Sequence, residues 1–354
     1  MTNVSAASGD AGLGDVRPQH RLDEAKLEAY LARHVTGFAG PLVIRQYQGG
    51  QSNPTYALTT PTARYVLRKK PPGQLLASAH AVDREYRVQL ALQDSAVPVP
   101  HLRHYCDDAD VIGTPFYVMD HLEGRVFRDP RLPGMAPAER GAIYDTLCDT
   151  MAALHKVDVA KAGLAAFGKG GSYFTRQIGR WTKQWEASKP EDLPEMERLM
   201  AWLPAHIPPG DDETTIAHGD YRLENLIFHP TGPQALAVLD WELATLGHPL
   251  ADVAYCCLVW KVTLANQPGF TDGVPDGIPS ERDFVARYCA ATGRPPIPAD
   301  HWAFYQAFAL FRLAAIAAGV YQRGQQGNAS SDTAFRFREV MQVTARAGAG
   351  LAGG

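Results

Sequence analysis

The octapeptide His218-Gly219-Asp220-Tyr221-Arg222-Leu223-Glu224-Asn225 is followed, fifteen residues after its Asn, by Asp240-Trp241-Glu242 at the end of an apolar run. These residue types suit phosphoryl transfer, which asks little covalent chemistry of a protein but needs a divalent cation on the phosphates and a group that positions the nucleophile. Mg²⁺ takes hard oxygen ligands, one or two from side chains and the rest from phosphate and water, so Asn225 and Asp240 suffice as metal ligands. Asp220 is then the candidate base for a hydroxyl, and Arg222 a cation for the moving phosphate. The same letters also have a plainer meaning, a turn with glycine at positive φ and a strand end. The stretch between favours the chemical reading. Leu226-Ile227-Phe228, a turn at 229–233 and the apolar run Ala235 to Leu239 read as a hairpin, which makes Asn225 and Asp240 neighbours.

Other elements must position a nucleotide. Leu22 to His34 has helical spacing. Leu42 to Tyr47, Thr55 to Thr59 and Tyr65 to Arg68 are β-type runs that read as a three-stranded meander. A helix over Ala79 to Gln93 and a strand over Phe116 to Met119 complete a small sheet with one main helix. Beyond residue 135 helices dominate, with Pro137 to Val157, Trp181 to Trp202, Ser280 to Ala291 and His301 to Gly324 as candidates. The loop Ala265 to Pro279 is long enough to be functional or mobile.

Within the first half, the turn Gly49-Gly50-Gln51-Ser52-Asn53 lies between two strands, where its amides can cradle phosphates; by itself it can equally be a plain hairpin. It is not a Walker loop, since no Gly-Lys-Ser/Thr follows. Kinases need a strand cation paired with a helix acid, and their catalytic Asp and Asn stand at the interval of Asp220 and Asn225. Glu85 is the acid. Alternation places Val66, Arg68 and Lys70 on one face and Tyr65, Leu67 and Lys69 on the other, so Arg68 is favoured over Lys69, a solvated basic strand end being the plainer alternative. The backbone of Met119, Asp120, His121 and Leu122 follows in order as the segment to meet an adenine edge.

The chain's 354 residues, 45% hydrophobic, allow two lobes with cores of their own. A formal net charge of −4 gives no support to nucleic-acid binding or to a strongly anionic membrane partner. Five cysteines without paired spacing suit a reducing cytoplasm. Residues 1–20 and 345–354 read as flexible tails, the first without the apolar core of a signal peptide. Trp302 to Tyr321 is nearly all apolar, but Gln306 and a central Arg312 favour a buried helix over a membrane span.

With these residues in view the chain resembles the aminoglycoside phosphotransferase and choline kinase group over roughly residues 35–340, through the HGDxxxxN loop at His218 to Asn225 and Asp240. Tyr65 to Gly73, Arg84-Glu85-Tyr86 and Asp240 to Pro249 look most like the kinase-like domain attached to certain acyl-CoA dehydrogenases. The resemblance implies an α+β, bilobal protein-kinase-like fold, with a small antiparallel-sheet N-lobe (21–122) carrying one main helix and a larger, mainly helical C-lobe (123–344). It implies ATP and Mg²⁺ as cofactors and transfer of the γ-phosphate to a hydroxyl. It also implies that Asp252 supports the catalytic loop and that His218 braces it.

The acceptor is expected to be a small molecule, with a hydroxyacyl-CoA favoured by the subgroup. Arg312, Arg323, Arg336 and Arg338 are candidates to meet CoA phosphates, a solvated helix face being the alternative. An antibiotic kinase is a second reading, and a catalytically silent nucleotide- or partner-binding module a third. Intact Asp220, Asn225 and Asp240 weigh against the last.

Overall fold

The computed structural model describes residues 12–48, 53–71, 81–264, 267–325 and 331–353, the side chains of 331–335 excepted. Gly49, Gly50, Gln51 and Ser52 of the expected phosphate turn lie outside the described residues. Two compact units divide the chain: one comprises 1–126, 162–164 and 225–244, the other 127–161, 165–224 and 245–354.

The first unit holds β1 (Leu13–Gly14), α1 (Glu24–His34), β2 (Val43–Tyr47), β3 (Thr55–Thr59), β4 (Arg64–Lys69), α2 (Val82–Leu92), β5 (Leu102–Cys106), α3 (Ala109–Ile112) and β6 (Phe116–Asp120). The strands form one antiparallel sheet in the order β1-β2-β3-β4-β6-β5. Side chains alternate across a strand, so each face of this sheet needs its own cover. Leu27 and Leu31 of α1 pack with Leu58, Leu67 and Val118 on one face. On the other, Val82 of α2 packs with Val66, Tyr117 and Met119. Asp23 starts α1 by accepting the Lys26 amide at 3.0 Å, an N-cap that satisfies one of the first turn's open donors.

Residues 12–20, expected to be loose, carry β1 and a single 3-10 turn, Pro18–His20. The reason is Gln46. Its side chain is 2% exposed and must find partners, which the Arg17 amide at 3.0 Å and the His20 ring at 2.7 Å provide.

The chain then enters the second unit through α4 (Pro137–His155), α5 (Tyr173–Ser188), α6 (Pro194–Ala205) and β7 (Thr215–Ala217). The single helix expected over 181–202 is two helices. Pro190 disfavours the helical conformation at Lys189, whose ψ is 94°, and Pro194 supplies the fixed φ of a first turn, so the chain stops and restarts. After β7 the chain returns to the first unit for the hairpin β8 (Leu226–Phe228) and β9 (Ala235–Val238), then re-enters the second through β10 (Thr245–Gly247), α7 (Pro249–Cys256), α8 (Glu281–Thr292), α9 (Ala299–Gln325) and α10 (Ser331–Leu351). β10 pairs antiparallel with β7.

Helix α9 is long and apolar enough to cross a bilayer, yet 78% of its apolar window is buried inside the fold. The 267–279 part of the long loop is pinned rather than loose. The Phe270 amide donates to Val259 O at 2.8 Å, the Trp260 indole to Pro279 O at 3.2 Å, and Arg140 to Asp276 O at 3.2 Å.

The end of the chain also departs from expectation. Residues 345–351 continue α10, with Ala345 and Ala349 at 0% and 3% exposure. Gly348 has Leu199 and Leu310 side chains 3.1 and 3.2 Å from where a Cβ would stand, so small residues let α10 lie close on α6 and α9. Runs of Ala and Gly that read as fraying in one dimension are a close-packing face in three. Deleting 345–354 removes two buried methyls worth about 0.8 kcal/mol each. The expected outcome is a thermal midpoint lowered by roughly 3–6 °C, read by circular dichroism; a frayed tail would leave it unchanged.

Candidate active site

In the first unit, the parity of β4 decides which cation meets the helix acid. Arg68 Nε stands 2.8 Å from Glu85 Oε2, the acid being 1% exposed. Lys69 faces the opposite side, 5% exposed, its ammonium donating to Ile112 O at 3.3 Å with its pKa pushed down by burial. Glu85 is further engaged by the Tyr117 hydroxyl at 3.0 Å and by the Asn53 amide. Gln89 donates to Tyr117 Oη at 3.2 Å and to Glu85 O at 3.1 Å. Asn53, expected in the phosphate turn, is thus part of this buried network. Burial disfavours the charge on Arg68, but Glu85, Tyr117, Asp240 and Glu242 outweigh it and hold its pKa above the ordinary arginine value. For Glu85 burial is the larger influence, and its carboxyl is pushed up despite Arg68.

The same guanidinium reaches Asp240 Oδ1 at 2.7 Å and Glu242 Oε2 at 3.7 Å. The hairpin brings the two expected metal ligands together: Leu226 pairs with Val238, and the Leu239 amide donates to Asn225 O at 2.7 Å. Asp240 adopts φ 65° and ψ 57°, a left-handed conformation that few residues other than Gly, Asn and Asp take readily. The buried Trp241 indole donates to Val238 O at 2.9 Å and fixes that turn. Two adjacent hard oxygen donors, one on a carboxylate that is 36% exposed, suit a cation completed by phosphate and water.

In the adenine-edge segment, Met119 lies in the sheet, opposite Val66 and Leu102. The Asp120 amide donates to His101 O at 2.9 Å, and the His121 amide to Arg64 O at 3.2 Å. The Asp120 side chain is bidentate with Arg103, at 2.6 and 2.8 Å. What this segment can offer a ligand is therefore backbone, from its carbonyls and from Leu122.

In the second unit, the loop from His218 is built around Asp252 on α7. This carboxylate, 1% exposed, accepts the His218 amide at 2.6 Å and the Gly219 amide at 2.9 Å, with His155 Nε2 at 3.3 Å. Burial pushes Asp252 up, but His155, His218 and the Gly219 amide more than reverse that and hold it below the usual carboxylate range. Gly219 takes φ +83°, as the turn requires. His218, fully buried, accepts the Asp220 amide at Nδ1 at 3.2 Å, and Tyr221 anchors the loop by donating to Leu147 O at 2.9 Å. Asp220 Oδ1 stands 3.6 Å from Arg222 Nε, and Arg222 also pairs with Glu224.

A cavity of about 110 Å³ adjoins this loop, walled by Phe127, Leu223, Tyr255, Val259 and Leu264, with Arg222 and Glu224 at its polar side. Of the C-terminal arginines, Arg338 is paired with Glu191 at 2.6 Å. Arg312 is 6% exposed and donates to Gly219 O at 2.6 Å, so it is a buried support of the loop rather than a surface contact for CoA phosphates.

Tyr117, Gln89 and Glu242 were not among the residues expected at the site. Tyr117 was within reach of parity, because it pairs directly opposite Arg68. The contact of Arg312 with the loop connects segments far apart in the chain, and no local pattern signals it.

A small antiparallel sheet covered by helices, a mainly helical second unit, a buried Arg–Glu pair and an HGDxxxxN loop define a phosphotransferase of the protein-kinase-like fold. The chain belongs to the phosphotransferase enzyme family, whose sequence profile matches residues 43–308. It is 44% identical over 350 residues to human acyl-CoA dehydrogenase family member 11, covering 97% of this chain but only 44% of that protein, so it spans less than half of that relative's length. A solved Ralstonia eutropha JMP134 protein, assigned to the aminoglycoside phosphotransferases, superposes with a TM-score of 0.84 at 47% identity over 94% of this chain and 98% of its own. A thermostable mutant of aminoglycoside phosphotransferase APH(4)-Ia, in ternary complex with AMP-PNP and hygromycin B, shares the fold with a TM-score of 0.60 at 15% identity, over 92% and 99% of the two chains.

The loop's support makes the second unit sensitive to acid. His248, 2% exposed, caps α7 by accepting the Leu250 amide at 3.2 Å and stacks on Tyr305. Burial pushes its pKa from 6.5 down to about 4. A buried imidazole that must charge opposes folding, so its contribution is complete above pH 6.5 and declines by about 3 kcal/mol as the pH falls to 4. Urea unfolding between pH 7 and 4 should show that decline, and His248→Asn should flatten it.

Proposed function

We propose that the chain is an ATP- and Mg²⁺-dependent kinase that phosphorylates the hydroxyl of a small molecule with an apolar chain, a hydroxyacyl-CoA or a related metabolite. The observation that carries this reading is the cavity beside the His218 to Asn225 loop: its walls are mainly apolar, and among the described residues lining it the one acid, Glu224, is already paired with Arg222. A polycationic aminoglycoside calls for several open carboxylates, whereas an acyl chain calls for such walls. The acyl-CoA dehydrogenase name of the human relative supports the same substrate class. Five free, buried cysteines accord with work in a reducing cytoplasm.

Each residue has a role in this reading. Asn225 and Asp240 hold Mg²⁺, Arg68 (oriented by Glu85) meets the nucleotide phosphates, and the backbone of Met119 to Leu122 receives the base. Bound MgATP supplies the phosphoryl group and neutralises its charge. Asp220 accepts the acceptor's hydroxyl proton. Arg222, held between Asp220 and Glu224, supplies a positive charge beside that carboxylate.

ATP consumption measured against panels of hydroxyacyl-CoAs and aminoglycosides tests the proposal. Turnover is expected with the first; turnover with the second alone would identify an antibiotic kinase, and ATP binding without turnover a silent module. Asp220→Asn should abolish transfer while calorimetry shows nucleotide affinity nearly intact, because the base acts on the acceptor. Asp240→Ala should instead weaken Mg²⁺-dependent nucleotide binding; unchanged metal dependence would remove Asp240 as a ligand.

A further inference from the structure

The cavity beside the His218 to Asn225 loop has an apolar floor and a polar rim. Tyr144, Leu147, Cys256 and Leu258, none more than 6% exposed, are among its most buried walls. At the rim, Arg128 and Gln267 are exposed, and Arg222 and Glu224 are half-buried. The floor offers almost nothing polar, since the Tyr144 hydroxyl is committed to Pro130 O at 2.7 Å. Phosphates and amides would lose their hydration there without replacement, so an amphiphile enters methyl end first and leaves its head group at the rim.

The floor is also held in place. The Tyr144 ring centroid lies 5.7 Å from that of Trp260, 6.2 Å from Phe270 and 6.5 Å from Phe284, so three aromatic rings back it. Leu147 belongs to α4, and its carbonyl accepts the buried Tyr221 hydroxyl at 2.9 Å. Walls packed in this way resist an extra methylene instead of stretching around it.

The space itself is small, about 110 Å³. Pockets that enclose a whole ligand run to roughly 300–1,000 Å³, so this one receives only an end of the acceptor. A dry apolar cavity of roughly 150 Å³ accepts a benzene ring, and by that measure this cavity takes about four carbons.

We propose that the cavity gauges the acceptor's alkyl tail, taking about four carbons beyond the hydroxyl-bearing carbon with Tyr144 and Leu147 setting the limit. The inference rests on the reading of the acceptor as a hydroxyacyl-CoA, and the experiment separates the two.

Across hydroxyacyl-CoAs that share one hydroxyl position, kcat/KM should rise roughly fourfold for each tail carbon buried, up to about four carbons, and then fall. Leu147→Ala shortens the limiting wall and should move the break toward longer tails by about two to three carbons. Because truncating a core leucine destabilises, Val259→Phe carries the opposite arm. It enlarges a half-buried wall residue, leaves that residue's carbonyl bond to the Phe270 amide alone, and should move the break toward shorter tails by about two carbons or more. Acyl-CoAs lacking the hydroxyl, titrated calorimetrically over the same chain lengths, read the gauge without turnover; their affinity should break likewise and shift likewise in Val259→Phe. Affinity that climbs without a break in the wild type, a break that Val259→Phe leaves in place, or no binding of any acyl-CoA overturns the inference. Absence of turnover with every hydroxyacyl-CoA would instead remove the kinase reading of the acceptor, and the titrations would still decide for or against the gauge.

Discussion

Asp252 takes both carboxylate oxygens out of water to accept the amides of His218 and Gly219, and the rest of the second unit's chemistry is arranged around that commitment. An unpaired buried carboxylate would be severely destabilising, so the loop cannot leave without stranding it. His155 adds a third contact and is itself fixed by the Tyr288 hydroxyl at 2.7 Å, which ties the loop to α4 and α8 as well as α7. The reactive stretch is thereby built on helices instead of on its own weak local preferences. Pre-organisation of this kind is what phosphoryl transfer asks of a protein.

The first unit solves a related problem with charge. Arg68 sits among three carboxylates, Glu85, Asp240 and Glu242, and its position follows from a strand parity that sends Lys69 the other way. A one-residue slip of β4 would exchange the two cations and move the apolar set to the wrong face. The hydrophobic pattern that keeps Leu67 and Tyr65 on the α1 side therefore also delivers Arg68 to Glu85.

Much of this was legible in the sequence because it is local. The β-type runs at 42–47, 55–59 and 65–68 marked the meander, the turn at 229–233 marked the hairpin that joins Asn225 to Asp240, and strand alternation singled out Arg68. Other features were hidden for identifiable reasons. β5 carries Arg103 and His104 among its five residues and lacks an apolar rhythm. Pro190 and Pro194 broke an otherwise helical pattern. Ala- and Gly-rich residues 345–351 look unstructured until α6 and α9 supply the surface they fit. Arg312 was visible as a lone cation in an apolar helix, but its partner was a backbone carbonyl 93 residues away.

Asp240 combines two demands that are rarely met together. Its left-handed backbone confines the position to residues such as Gly, Asn and Asp, and only Asp among these carries a charge. Lengthening the side chain to Glu would keep the carboxylate and lose the conformation, whereas Asn would keep the conformation and lose the charge. The narrowness of choice here comes from geometry and electrostatics acting at once, so the position has almost no neighbouring sequences through which it could drift while keeping both.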